Sequence, residues 1–252
     1  MNRLDYLKQN HCKLLFVLIA LPFITMATLQ AQGTRLLRQP DISTTHITFT
    51  YGSDIWVSNI NGGEAKRITS TQAVESNPYF SPDGKWIAFS SNRTGYQAVY
   101  VVPAEGGEAK QITWHPSGSL VRGWSNDGTR ILYASNRDTA PSPYNRLWTT
   151  GVTENIPSLV HPQWGFDGAF APDGEHLIID RVSRWDSEWR GYRGGQNTPL
   201  IILSTTTSEE ELLPNERTTD IHPLWLGDVV YFISDRDLVA NIWSYNTKSK
   251  EL

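Results

Sequence analysis

The stretch Phe80–Phe89 reads FSPDGKWIAF, and it returns in altered form along the chain. Trp124 opens the turn SNDG 44 residues later, and Phe170 opens APDG 46 residues after that. A degenerate copy, Trp225-Leu226-Gly227-Asp228, follows after 55. The turns have physical reasons. Proline presets φ for a tight turn, glycine accepts positive φ, and Asp-Gly is a strong hairpin signal. An apolar run follows each turn: Trp86–Phe89, Ile131–Tyr133, Leu177–Ile179 and Val229–Phe232. Ile47–Phe49 is an earlier copy without the turn.

A second anchor keeps the same period. The segment GGEAK occurs at Gly62–Lys66 and again at Gly106–Lys110, 44 residues apart. Each copy runs on to an Ile-Thr pair, Ile68-Thr69 and Ile112-Thr113. A further apolar run completes each unit: Ile55–Val57, Val99–Val101, Leu147-Trp148, Leu200–Ile202 and Ile242-Trp243. These runs are rich in β-branched and aromatic residues, as strands are. No sustained helical periodicity appears after residue 31. Three to four short strands repeating at about 44 residues match one blade of a β-propeller.

The sequence therefore predicts an all-β chain, a β-propeller of four-stranded blades with about five blades present from Leu36 onward. Near-identical repeats argue against a two-sheet sandwich. The fifth unit reaches Lys250–Leu252 where earlier units place their last strand. An open ring leaves unpaired backbone at its edges. Residues 32–252 are thus expected to form an incomplete propeller, part of a six-bladed ring and of a longer protein. A five-bladed ring closed by the N-terminal strand is the alternative.

Composition narrows the function classes. With 252 residues, 39% hydrophobic and 10 of them Trp, the chain is neither disordered nor collagen-like nor a long coiled coil. Lys plus Arg is 22 against 26 for Asp plus Glu, so no global charge favours nucleic acid. The single cysteine, Cys12, supports neither a disulfide framework nor a cysteine zinc site.

The first residues read as an address. Arg3, Lys8 and Lys13 precede an apolar run, Leu14–Ala27, that is too short to span a bilayer comfortably. Residues 1–31 fit a secretory signal peptide cut after Ala31, although Leu29 is larger than the usual small residue. An uncleaved anchor is the alternative. Cleavage takes the net charge from −4 to −6 and removes the cysteine. The mature chain is expected in the periplasm or outside the cell, without further membrane attachment.

Chemistry is sparse. No Gly-x-Ser-x-Gly elbow occurs, and no helix is expected to receive one. His115, His161 and His222 each precede a proline and read as blade-connecting turns at equivalent positions. No close histidine spacing suggests a metal, and no cofactor is expected. Asp83, Asp127 and Asp173 recur at the period and read as turn residues bonding their own backbone. Asn92-Arg93, Asn136-Arg137 and Asp235-Arg236 also recur, which suggests inter-blade packing or hydrogen bonding. Glu209–Glu211 reads as a solvated turn. The surplus of the long fourth interval falls at residues 181–197, RVSRWDSEWRGYRGGQN. Insertions in repeat folds map to loops, and loops carry binding. Arg184, Trp189, Arg190, Tyr192 and Arg193 are therefore the candidate contacts to a peptide or to another part of a parent protein. Arginine and aromatic side chains hold peptides by bidentate contact and stacking.

Several segments together resemble the N-terminal propeller of the tricorn protease family, its exported bacterial members in particular. They are Leu36–Ser43 (LLRQPDIS), Asp54–Val57, Glu75–Pro78 with Phe80–Phe89, Val99–Pro116, and Trp189–Gln196 (WRGYRGGQ). The resemblance implies a non-catalytic region of a large serine peptidase that degrades oligopeptides. It implies a gating, channelling and scaffolding role, with oligopeptides and the C-terminal protease domains as partners and a possible homo-oligomer. The residues that cut peptides lie downstream in that family, so no catalytic residue is carried over to this chain. SPDG blades also occur in TolB-like propellers and in relatives of prolyl oligopeptidase. A TolB-like periplasmic protein-interaction module is the alternative function.

Overall fold

The computed structural model describes residues 36–252 except 142, 183–192 and 196. The expected leader, residues 1–31, lies outside the described residues, as do Arg184, Trp189, Arg190 and Tyr192.

Residues 36–252 form five antiparallel sheets, each built from strands consecutive in sequence. Blade 1 holds β1 (Arg38–Ile42), β2 (His46–Tyr51), β3 (Asp54–Asn59) and β4 (Lys66–Arg67). Blade 2 holds β5 (Glu75–Phe80), β6 (Trp86–Ser91), β7 (Ala98–Pro103) and β8 (Lys110–Gln111). Blade 3 holds β9 (Leu120–Trp124), β10 (Arg130–Ser135), β11 (Arg146–Gly151) and β12 (Pro157–Leu159). Blade 4 holds β13 (Asp167–Phe170), β14 (His176–Asp180), β15 (Ile201–Ser204) and β16 (Glu210–Leu212). Blade 5 holds β17 (Asp220–Leu226), β18 (Val229–Ser234) and β19 (Asn241–Asn246). Four sheets thus have four strands and the fifth has three among the described residues. The architecture is the all-β propeller that the repeat predicts.

The blades are glued face to face by the apolar sides of their middle strands. Ile55 and Val57 meet Ile87, Phe89 and Tyr100 across blades 1 and 2. Ala88, Val99 and Val101 meet Val121, Ile131 and Tyr133 across blades 2 and 3. Leu132 and Leu147 meet Leu177, Ile179 and Ile201 across blades 3 and 4. Ile178, Leu200 and Ile202 meet Val230, Phe232 and Tyr245 across blades 4 and 5. In blades 2 to 4 the middle strands are buried on both faces, so their sequences are continuous apolar runs rather than alternations.

The predicted turns behave as expected. The Ser81 hydroxyl donates to Asp83 Oδ1 at 2.6 Å, and the Lys85 amide donates to the same oxygen. Asp127 and Asp173 accept from the amides of Thr129, and of Glu175 and His176. The Ser81 and Ser125 hydroxyls first, then the backbone amides, hold the Asp83 and Asp127 carboxyls below their ordinary pKa. The Ile-Thr pairs also have a structural role. The hydroxyls of Thr69 and Thr113 accept the buried amides of Ile55 and Val99, both at 2.9 Å. Each threonine thereby extends an outermost strand only two residues long.

The recurrent arginines tie strands within a blade rather than between blades. Arg93 bridges to Glu75 and lies over Tyr100 at 4.5 Å. Arg236 bridges to Asp220 at 3.1 Å and lies over Trp243 at 4.9 Å. In both cases the loop after the second strand is fastened to the start of the innermost strand.

Candidate functional site in the channel wall

The innermost strands β1, β5, β9, β13 and β17 pack on one another in that order and form the inner wall of the blade array. An innermost strand has a neighbour on one side only, so a missing amide is tolerated there. The sequence uses that freedom. Gln39-Pro40 interrupts β1, Asn77-Pro78 interrupts β5 and His222-Pro223 interrupts β17. Each pair forms a β-bulge: two residues stand opposite one on the middle strand, and the first has φ near +50°. Blade 3 places its bulge at Arg122, next to Gly123. Blade 4 keeps a regular ladder through Asp167 and Gly168. Bulges re-aim side chains and recur at functional sites. Here they set Gln39, Asn77, Arg122 and His222 along the wall, and the regular strand β13 adds Asp167.

These groups link the blades. Gln39 Oε1 accepts the Asn77 amide at 3.0 Å and the Thr50 hydroxyl at 3.2 Å. Asp41 accepts the Phe80 amide at 2.7 Å, and burial still raises its pKa above the ordinary carboxylate value. Arg122 Nε donates to the Phe166 carbonyl at 2.7 Å, with its guanidinium 4.2 Å from the Phe166 ring centre. The same nitrogen is 3.8 Å from Asp167 Oδ1. Asp167 Oδ2 lies 2.9 Å from His222 Nδ1. Asp167 and Arg122 are buried, whereas the His222 ring is largely exposed.

The electrostatics follow from the geometry. The hydrogen bond to Asp167 raises the His222 pKa above its ordinary value; partial burial and the Arg122 charge oppose the rise. Burial, with Asp167 close by, pushes the Tyr79 phenol up as well. An Asp-His pair invites comparison with hydrolytic triads, but no serine, threonine or cysteine among the described residues is hydrogen-bonded to His222. Nor do three His, Cys, Asp or Glu side chains converge as metal ligands among the described residues. The arrangement can present a cation and orient an anionic or amide-bearing molecule in the channel.

His222 corrects one sequence expectation. His115-Pro116 and His161-Pro162 lie in loops between blades, but His222-Pro223 lies inside β17. Its counterparts are Gln39-Pro40 and Asn77-Pro78, which do not share its histidine. Arg122 and Asp167 carried no sequence signal beyond their place in the period. Of the predicted loop residues, Arg193 is described. It donates from Nη1 to Asp235 Oδ2 at 2.9 Å and from Nη2 to the Asp235 carbonyl at 3.1 Å. Asp235 is buried and also accepts the Thr219 amide at 2.9 Å. Arg193 thus anchors one end of the long insertion to blade 5.

Comparison with known proteins settles the relationship. Residues 34–252 match the tricorn protease N-terminal β-propeller domain. The chain belongs to that family. It is 31% identical to tricorn protease homolog 1 of Streptomyces coelicolor over 226 residues. That alignment covers 87% of this chain and 20% of the relative, so the chain spans about a fifth of the relative's length. Among solved structures, the tricorn protease superposes with a TM-score of 0.72 at 26% identity, covering 86% of this chain and 22% of that one. The putative TolB of Agrobacterium tumefaciens superposes with a TM-score of 0.71 at 17% identity, covering 86% of this chain and 79% of that one. The latter likeness is one of fold.

Proposed function

We propose that this chain supplies the first propeller of an exported tricorn-like serine protease and that the propeller itself is non-catalytic. Its role is to gate or channel oligopeptides and to scaffold the protease domains of the parent protein. The observation that carries this reading is the polar wall, Arg122–Asp167–His222, on a propeller of the tricorn family. It offers peptides charged and hydrogen-bonding groups without a nucleophile attached to them.

Two further features support the reading. The outer face of blade 1 carries Ile42, Ile47, Phe49, Tyr51 and Trp56, and the far face of blade 5 carries Leu224, Leu226, Tyr231 and Ile242. Both faces are of the kind that the inner blades bury against a neighbour, as a sixth blade would provide. The basic start and apolar run of residues 1–31 support delivery to the periplasm or the exterior by a removable signal peptide.

The first test is the mass of the native product in the source cells, detected with an antibody against residues 32–252. A product several times larger than the 28.4 kDa of this chain is expected. Purified residues 32–252 should also cleave no member of an oligopeptide panel; cleavage with host proteases excluded would overturn the non-catalytic assignment. A native product no larger than this chain would favour a TolB-like interaction module, the reading to which the TolB fold likeness lends support.

A further inference from the structure

The seam between blades 4 and 5 departs from the repeat at three positions, and each departure changes the charge carried there. On the channel wall, the bulge that holds the neutral amides Gln39 and Asn77 in blades 1 and 2 holds His222 in blade 5. In the loop after the second strand, Asn92 and Asn136 give way to Asp235. On the outermost strand, Lys66 and Lys110 give way to Glu211 in blade 4. The three stand at one register position, opposite Val57, Val101 and Ile202.

All three are answered across the seam. Asp167 of blade 4 lies 2.9 Å from His222 Nδ1, an ion pair when the ring is protonated. Asp235 keeps the role of its neutral counterpart with one oxygen, which accepts the Thr219 amide as Asn92 Oδ1 accepts the Val74 amide. Its other oxygen receives Arg193, from the long interval between β14 and β15 of blade 4. Glu211 receives Lys250, from the turn after β19, at 2.7 Å and the Tyr245 hydroxyl at 3.0 Å. Glu209–Glu211 is thus more than a solvated turn, since Glu210–Leu212 is strand β16. Other seams are held differently at these places. Gln39 accepts the Asn77 backbone amide, and Lys66 and Lys110 donate to the backbone carbonyls of Glu105 and Val152. Four ion pairs join one blade to the next among the described residues, and three of them cross the blade 4–blade 5 seam.

A backbone carbonyl or amide is the same on every blade, so a contact to it does not tell one neighbour from another. Charged side chains do, because a wrong partner leaves them facing like charge or none. We infer that the three pairs form a charge lock that fits blade 4 to blade 5 in preference to the other blades of the chain. Blade 2 in that place would bring Asn77, Asn92 and the acidic turn Glu105–Glu108 towards Asp167, Arg193 and Glu211. Two counter-charges would be missing, and Glu211 would meet its own sign. Blade 5 set against blade 1 or blade 2 would bring Lys250 towards Lys66 or Lys110. The lock concerns assembly of the array and stands apart from the proposed role of the channel.

The test is hydrogen exchange of the full chain at low concentration, read blade by blade by mass spectrometry. Glu211→Lys places the residue of blades 1 and 2 opposite Lys250. It should speed exchange in β17–β19 by about two- to fivefold, the range an exposed pair commands, and leave β5–β7 as they were. Glu211→Gln should fall between. Salt at about 1 M, where the Debye length is about 3 Å, should bring the two variants together. Glu211→Lys with Lys250→Glu re-forms the pair with its signs exchanged and should restore the original rates. Arg193→Gln should speed exchange around Thr219, and adding Asp235→Asn, the residue of blades 2 and 3, should remove most of that effect. An arginine that only fills space would show no such rescue. Partner choice is read by refolding from urea: His222→Asn, Asp235→Asn and Glu211→Lys together should lower the yield of native monomer at equal dilution. Three results would overturn the lock. They are Glu211→Lys exchanging no faster than Glu211→Gln, a sign exchange that restores nothing, and a triple variant that refolds as well as the unsubstituted chain.

Discussion

His222 is held by one partner, and that fixes the sign of its pH dependence. Its folded pKa is raised above 6.5, first by the hydrogen bond to Asp167. The protonated ring therefore stabilises the blade 4–blade 5 contact fully below that value. The contribution is lost as pH rises through the raised folded pKa. The ring is largely exposed, so the effect is that of a screened pair, about 0.2–1 kcal/mol. An NMR titration of the His222 ring should give a pKa above 6.5 that falls back when Asp167 is replaced by Asn. A normal value in the unsubstituted chain would refute the link. The Arg236–Asp220 pair is a different case. Asp220 is fully buried and accepts from Arg236, Thr218 and Asn215. Removing one member of a buried pair strands the other, at a cost of about 3–5 kcal/mol. Asp220→Ala should show that loss in urea unfolding, whereas an exposed pair such as Lys85–Asp83 should contribute almost nothing when broken.

At the level of the element, blade 4 is the one that departs from the others. Its innermost strand runs without a bulge, and Gly168 permits this. A Cβ at Gly168 would stand 2.5 Å from the Ile178 carbonyl oxygen and 3.2 Å from Leu147 Cδ1. Gly168→Ala should therefore push β13 from β14 and destabilise the chain by about 1–3 kcal/mol; a thermal midpoint equal to that of the unsubstituted chain would count against this packing. The contrast shows what was legible in the sequence. The hairpins were, because Ser81-Pro82-Asp83-Gly84 and its copies act through their own backbone, within a few residues. The apolar strands of blades 2 to 4 were, because burial on both faces leaves no alternation to misread. The channel wall was not. Whether His222 sits in a turn or in a strand depends on pairing with β18, and its link to Asp167 crosses 55 residues. The clamp arginines were visible as a repeat, but their partners Glu75 and Asp220 were not, since the acid precedes each arginine by most of a hairpin.

For the described body as a whole, the two terminal faces dominate behaviour in solution. Ile242 is 78% exposed, and Leu224 and Leu226 on the same face are 51% and 57% exposed. Contiguous apolar surface of this kind drives association. This chain, purified as such, should sediment as concentration-dependent oligomers, and Leu224→Glu with Ile242→Lys should raise the monomer fraction without lowering the unfolding midpoint. Oligomers unaffected by that pair of changes would place the contact elsewhere. The sheets carry one more consequence, which concerns time rather than space. Every blade uses strands in strict chain order, and among the described residues none borrows a strand from a distant segment. A chain emerging from a ribosome or a translocation pore can therefore finish each sheet before the next has been delivered. It can dock that sheet at once on the one before, since the inter-blade clusters join nearest neighbours in sequence. Growth of the array is then a one-way addition at a single advancing face, while the outer face of blade 1 waits from the first stage to the last.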